Sequence, residues 1–187
     1  MKIGIICEED NDLDVINELT SKLIPPHRFS YKKFIGHGCG KLRRKCTAWA
    51  NNLIKSGCDH LVVIHDLDTN DENDLRNKLT DSIKHIGFAG YVVLIPTREI
   101  EAWLLSDAQA LQKTFKMQGL PKVPARPERE RRAKEKLRDI IWKFSKKRYV
   151  NTIHNGKIAS FIRINQLNTT CASFKPFPQF IKKYLLA

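Results

Sequence analysis

Acidic residues in three separate parts of the chain have the types and spacing that could hold a divalent metal ion. Glu8-Glu9-Asp10 follows a short apolar run at the amino terminus, Asp66-Leu67-Asp68 follows a second such run, and Glu99-Ile100-Glu101 comes shortly after a third. Mg²⁺ and Mn²⁺ prefer carboxylate oxygens and often share them with a substrate phosphate. The three groups therefore predict a metal site for phosphate chemistry if the fold brings them together.

The elements that must position these groups alternate between strand and helix. β-Branched and apolar runs predict strands, which lie at 2–7, 28–34, 60–65 and 91–95. Apolar residues at helical spacing predict the helices that follow them, at 15–23, 42–54, 75–86 and 100–111. This alternation is typical of an α/β fold, a Rossmann-like parallel sheet of about four strands flanked by helices. Ligands of such sheets bind beyond the carboxyl ends of the strands, where the acidic groups lie.

The rest of the chain predicts a helical extension packed on this core. The chain has 187 residues, which excludes a large multidomain protein, and 42% of them are hydrophobic, which allows a packed core. Residues 1–111 form the predicted α/β core and 112–187 the extension. Its apolar spacing indicates an amphipathic helix over 133–144 and further helices near 157–165 and 178–186. Trp142, like Trp49 and Trp103, falls at an apolar helical position and is expected in the core.

The net charge of +13 is concentrated in the extension. Residues 1–111 contain 14 basic and 16 acidic side chains, whereas residues 112–187 contain 19 basic and 4 acidic ones. Such a surplus attracts phosphate polyanions, so nucleic acid is the predicted partner, with DNA favoured over RNA. The alternative is a solvated helix whose acidic residues pair with neighbouring Lys and Arg. The basic residues predicted to contact nucleic acid are Lys41, Arg43, Arg44, Arg98, Arg129, Arg131, Arg132, Lys134 and Arg138.

Other patterns have weaker functional interpretations. The glycine-rich segment 36–41 precedes a predicted helix and could cradle a phosphate, contact a nucleic-acid backbone or form a plain loop; it lacks the GKS/T ending of an ATP-binding Walker motif. The histidines and cysteines match no zinc spacing, and the five cysteines are expected to be reduced thiols. His65 could aid proton transfer or be a core histidine. The amino terminus fits neither a signal peptide nor a membrane span, so a cytoplasmic protein is expected.

Two sets of motifs resemble the Toprim domain of topoisomerases, primases and overcoming-lysogenization-defect nucleases. A glutamate after the first strand, Glu8, and a DxD after the third, Asp66-Leu67-Asp68, are similar to its acidic motifs. The segment 98–105 resembles the REIEAW segment of one stand-alone Toprim-like branch, and 157–159 with 173–177 look like its closing helices. The resemblance covers nearly the whole chain. The chain has Glu9 where glycine usually follows the first-strand glutamate, which leaves open whether Glu8 or Glu9 fills the catalytic role.

The resemblance implies a metal-dependent nuclease. It assigns Glu8 as general acid, general base or metal ligand, and Asp66 and Asp68 as Mg²⁺ or Mn²⁺ ligands. Glu101, with Glu99 as substitute, would complete the site. It also suggests an ATPase partner and a role in phage defence. Two alternatives stay open: a non-catalytic module that binds nucleic acid or an ATPase through its basic part, and phosphomonoester chemistry, whose motifs the chain fits poorly.

Overall fold

A four-stranded parallel sheet lies at the centre of the structure, a computed structural model that describes residues 1–186. The strands are β1 (Lys2–Cys7), β2 (Ser30–Ile35), β3 (His60–Ile64) and β4 (Gly90–Leu94). Their order is β2-β1-β3-β4, and every neighbouring pair is parallel. This confirms the predicted α/β fold, a Rossmann-like parallel sheet flanked by helices.

The two faces of the sheet bury different side chains because successive residues of a strand point to opposite sides. Ile3 and Ile5 of β1 face the core that contains α1 (Asp10–Leu23), whereas Ile6 faces the core that contains α2 (Cys39–Lys55) and α3 (Glu72–Asp81). β1 therefore carries apolar residues on both sides, as expected of an interior strand of a parallel sheet.

The residues after β4 form helices that extend the α1 side of the core. They are α4 (Glu101–Leu104), α5 (Ala108–Phe115), α6 (Ala133–Ser145), α7 (Asn151–Ala159), α8 (Ile164–Thr170) and α9 (Pro176–Phe180), followed by a π-helical turn, Ile181–Leu185. Leu137, Ile158, Phe177 and other residues of these helices share one apolar cluster with Ile3 and Ile5. Within residues 1–186 no helix is both long and apolar enough to cross a bilayer.

Some predicted helices differ from the observed ones. The predicted helix over 100–111 is divided into α4 and α5, because the Asp107 carboxylate accepts the backbone N–H groups of Gln109 and Ala110 and begins a new helix. The predicted helix over 157–165 is wrong, because Arg163 is extended and separates α7 from α8. The core position predicted for Trp142 is also wrong, since this residue is 57% exposed.

Asp107 joins the two halves of the chain, and its loss is expected to destabilise both. The buried carboxylate accepts hydrogen bonds from the Arg163 backbone N–H (3.0 Å), Nε (2.8 Å) and Nη2 (2.9 Å). Burial alone would raise the pKa of Asp107, but the Arg163 hydrogen bonds and charge lower it below its ordinary value. Asp107→Ala removes a helix cap and leaves buried N–H groups unpaired, so we expect a loss of about 2 kcal/mol. Urea unfolding of the wild type and of Asp107→Ala measures this loss of stability. An unchanged urea midpoint in the variant would contradict the role of Asp107 in joining the two halves of the chain.

Candidate functional site

Glu8 and Asp66 meet where the two central strands of the sheet end. Glu8 directly follows β1, and Asp66 comes two residues after the end of β3. Because β1 and β3 are parallel neighbours, their carboxyl ends lie side by side. The backbone N–H of Asp66 donates to Glu8 Oε1 at 2.9 Å. The fold thus brings together two of the predicted acidic motifs.

His65 holds the Glu8 carboxylate in place. Its imidazole is completely buried, and Nδ1 lies 2.8 Å from Glu8 Oε1 and 2.6 Å from the backbone oxygen of Asp66. Both neighbours are acceptors, so Nδ1 carries a proton and donates. The other ring nitrogen, Nε2, is buried and has no hydrogen-bond partner among the described residues. His65 is therefore a core histidine that also positions a predicted catalytic carboxylate.

Glu101 reaches the same region from the start of α4. Its side chain is buried, and its Oε1 lies 3.2 Å from the Tyr149 hydroxyl and accepts a hydrogen bond from Asn155 Nδ2 at 3.3 Å. Burial and the charge of Glu101 raise the pKa of Tyr149, so this hydroxyl stays protonated. Tyr149 and Asn155 lie in the basic extension, which therefore contributes to the site. No pattern in the sequence singled them out.

Asp12 is a further buried carboxylate that the sequence did not single out. It lies in the first turn of α1, where its Oδ2 accepts the backbone N–H of Glu9 at 2.9 Å. Burial raises the pKa of Asp12 to about 7, and the charges of Glu101 and Glu8 act in the same direction. The only signal was an acidic residue in a first helical turn, which is typical of a helix cap rather than of a catalytic site.

Asp66 shares this electrostatic environment. Burial raises the pKa of Asp66 well above its ordinary value, and the charges of Asp12, Glu101 and Glu8 raise it further. In the described part of the chain, none of Asp12, Asp66 and Glu101 forms an ion pair with a basic side chain. These carboxylates therefore repel one another, and a bound cation would relieve that repulsion.

Asp68 lies at the exposed edge of this group, in a strained turn. Its φ is 49° and that of Arg98 is 72°, both in the left-handed region. The two residues hold each other: the Asp68 N–H donates to the Arg98 carbonyl at 3.0 Å, and Arg98 Nη1 donates to the Asp68 carbonyl at 2.9 Å. Partial burial raises the pKa of Asp68, and the Glu8 charge adds to this effect. The turn thus fixes Asp68 beside the buried carboxylates.

A thiol joins the exposed edge of the site. One ligand atom each of Glu8, Cys39 and Asp68 lies within 4.8 Å of the other two. Cys39 begins α2, which brings the glycine-rich segment next to Glu8: the His37 N–H donates to the Glu8 carbonyl at 2.8 Å.

A second cysteine of α2, Cys46, lies away from the site. Burial raises the pKa of the Cys46 thiol to about 12. The Cys46 side chain itself is fully buried, as the sequence predicted.

Glu9 and Glu99 have other partners. Glu9 is exposed at the residue that precedes α1, and its backbone N–H is capped by Asp12. Glu99 is half-buried, and its Oε1 accepts the backbone N–H of Lys134 at 3.0 Å. Burial raises the pKa of Glu99, although the Lys134 N–H opposes the shift. The geometry thus places Glu8 rather than Glu9 beside Asp66.

The predicted basic residues lie in several places around this site. Arg98, Arg131 and Arg132 line a cavity of about 260 Å³ together with Asp68 and Glu99. The others are exposed near it or farther along the surface. Arg43 Nη1 donates to Asn70 Oδ1, just after the DxD, at 3.1 Å. Lys134 and Arg138 line a second cavity, next to Tyr149. Lys41 and Arg44 are exposed on α2, and Arg129 is exposed on the 3-10 turn before α6.

The carboxylates of the site have the chemistry that a hard divalent cation prefers, but among the described residues only Glu8, Asp68 and the Cys39 thiol bring ligand atoms within 4.8 Å of one another, and Asp66 and Glu101 belong to no such group. Glu8, Asp66, Asp68 and Glu101 offer carboxylate oxygens, which Mg²⁺ and Mn²⁺ prefer to sulfur or imidazole ligands. The negative charge of the group is unrelieved by lysine or arginine ion pairs within the described residues. The positive side chains stand at the edge of the site instead, where they could bind phosphate groups.

Comparison with known protein families identifies a family for this chain. The model of a family described as a domain of unknown function, DUF4276, matches residues 9–182. The matched range contains Asp12, Asp66, Asp68 and Glu101 together with the basic helix α6. No curated protein and no solved structure matches the chain.

Proposed function

The chain belongs to the DUF4276 family, and we propose that it is a Toprim-type nuclease that uses Mg²⁺ or Mn²⁺ to hydrolyse nucleic-acid phosphodiesters, with DNA favoured over RNA. The observation that carries this proposal is that Glu8, Asp66 and Asp68 lie together where β1 and β3 end, with Glu101 and Asp12 near enough for their charges to act on Asp66. Burial raises the pKa of Asp66, and the charges of Asp12, Glu101 and Glu8 raise it further, which supports a cation among these groups.

The chain's own residues have distinct roles in this proposal. Glu8, Asp66, Asp68 and Glu101 would hold the metal ion, which when bound neutralises phosphate charge and lowers the pKa of an attacking water. Both hydrogen bonds to Glu8, from the imidazole and from a backbone N–H, use Oε1. Its second oxygen is therefore left to accept a proton or bind the metal ion. Tyr149 and Asn155, which belong to the basic extension, orient Glu101 through their contacts with its Oε1.

The basic edge of the site would position the substrate. Arg98, Arg131 and Arg132 line the cavity that also contains Asp68. One arginine side chain can donate two parallel hydrogen bonds to the oxygens of one phosphate group. Such contacts position a nucleic-acid backbone without selecting its sequence. A phosphodiester held there would lie next to the carboxylates that carry the chemistry.

The test is cleavage of DNA and RNA by the purified protein with Mg²⁺ or Mn²⁺ and with EDTA. We expect cleavage that EDTA abolishes and that the double variant Asp66→Ala, Asp68→Ala loses by at least about 100-fold. The control is Asp71→Ala, because Asp71 caps α3 beside the same loop but is exposed. No cleavage by the wild type, or equal cleavage by the double variant, would remove the proposal.

A second candidate function is a non-catalytic module that binds nucleic acid or an ATPase partner through its basic part. The observation that favours it is the row of exposed basic residues on and before α6, such as Arg131, Lys134 and Arg138. This function predicts salt-sensitive binding that is indifferent to EDTA and to the loss of Asp66. Either function would suit a cytoplasmic protein of phage defence.

A further inference from the structure

We propose that Trp142 stacks on an unpaired base and that a single strand runs from it along α6 to the acidic site, an inference that rests on the proposed function for the role of that site. The starting observation is the exposure of this tryptophan, 57%, which leaves a large aromatic ring in solvent. Leu137, Ile140 and Ile141 supply the buried face of α6, so Trp142 is not needed for the core.

Positive side chains surround the exposed ring. Trp142 lines a cavity of about 340 Å³ together with Arg138, Lys147, Arg148 and one acidic residue, Asp139, whose Oδ1 lies 3.4 Å from Arg138 Nε. Lys146 Nζ lies 6.0 Å from the centroid of the ring. An aromatic surface bordered by cations is the arrangement by which proteins hold single-stranded nucleic acid, because every base has a face that can stack and every nucleotide carries a phosphate.

Neighbouring cavities with shared lining residues lead from this cavity to the acidic site. Arg138 and Arg148 also line the cavity beside Tyr149, and Glu135 lines both that cavity and the one that contains Asp68. Residues 135, 138 and 142 of α6 are spaced by three and four positions, so they lie on one face of the helix, and Arg131 lies just before its first turn. The seven helical steps from residue 135 to residue 142 span about 10 Å, which is longer than one nucleotide.

The chemistry of this face favours an unpaired strand over a duplex or a protein partner. Duplex bases are stacked on one another and offer no free face to a tryptophan, whereas an unpaired base does. An acidic peptide would satisfy the cations but would leave the ring without a planar partner. A single strand satisfies both, and its phosphates continue toward Arg131 and Arg98 at the acidic site.

The experiment measures binding without metal, so that it does not depend on cleavage. Fluorescently labelled single-stranded DNA, RNA of the same sequence and the matching DNA duplex are titrated in EDTA at several salt concentrations. Trp142→Ala is expected to bind both single strands roughly 5- to 150-fold more weakly than the wild type, and Trp142→Phe to bind nearly as well as the wild type. The slope of affinity against salt should stay unchanged in Trp142→Ala and fall by about one in Arg138→Ala.

The matched control is Phe161→Ala, because Phe161 is 44% exposed but lines none of the three cavities along α6. Its affinity should equal that of the wild type. If Trp142→Ala binds single strands with the same affinity as the wild type, the inference is overturned, and this face would instead bind a protein partner. Weak binding by Trp142→Ala with no metal-dependent cleavage by the wild type would support strand binding while removing the nuclease proposal.

Discussion

Glu8→Gln is expected to reduce cleavage by at least about 100-fold, whereas Glu9→Gln should cleave at close to the wild-type rate. The glutamine oxygen can still accept the His65 Nδ1–H and the Asp66 N–H, which both bind Oε1 in the wild type. The geometry is therefore kept, and only the charge and the ability to take a proton are lost. Glu9 is exposed at the start of α1.

The two variants are a matched pair because each removes one negative charge from the same turn. A general weakening or strengthening of electrostatic attraction for nucleic acid would affect both equally. The measurement is the single-turnover cleavage rate with Mn²⁺, together with binding of the uncut substrate. Equal losses in both variants, or a loss only in Glu9→Gln, would contradict the assignment of Glu8.

Asp12→Asn should make the metal-free protein more stable at pH 8 by on the order of 3 kcal/mol, or about 10 °C in Tm. The folded protein holds the proton of Asp12 up to pH of about 7, whereas an unburied carboxyl loses it near its ordinary value of 3.8. Between these values the folded state binds more protons than the unfolded state, so stability falls as pH rises. Asparagine carries no charge to bury and can still cap Glu9.

The measurement is thermal unfolding in EDTA from about pH 5 to pH 8. The wild type should lose stability over this range, and Asp12→Asn should lose less; Asp66 contributes in the same direction, since its pKa is also raised. The control is Asp14→Asn, an exposed carboxylate of the same helix. Adding Mn²⁺ at pH 8 should stabilise the wild type. A flat wild-type profile with no effect of Mn²⁺ would contradict a buried cluster of repelling carboxylates.

Much of the sheet could be predicted because its strands are nearly continuous apolar runs. The predicted strands 2–7, 60–65 and 91–95 lie within one residue of β1, β3 and β4. The boundaries after residue 100 were harder to predict because they depend on distant partners. Arg163 directly precedes α8 and binds Asp107, which lies 56 residues earlier. Helical spacing carries no information about such a contact.

The candidate site could be predicted where it follows the strands. Glu8 and Asp66 come after β1 and β3, and in a parallel sheet that position alone places them at one edge. Asp12 could not be predicted, because an acidic residue in a first helical turn is ordinary. The exposure of Trp142 could not be predicted either, since an aromatic residue next to Ile140 and Ile141 has the spacing of a core residue.

By itself the sequence determined the α/β class, the alternation of strands and helices that makes the sheet parallel, and the positions of the acidic motifs at the strand ends. These features follow from local periodicity and from the direction of the chain. Tertiary structure alone decided which carboxylates share a buried environment, that Glu8 rather than Glu9 faces Asp66, and that Tyr149 and Asn155 reach Glu101 from the basic extension. Those outcomes depend on burial and on contacts across 48 to 58 residues of chain, which shift pKa values and fix side chains in ways that residue spacing does not encode.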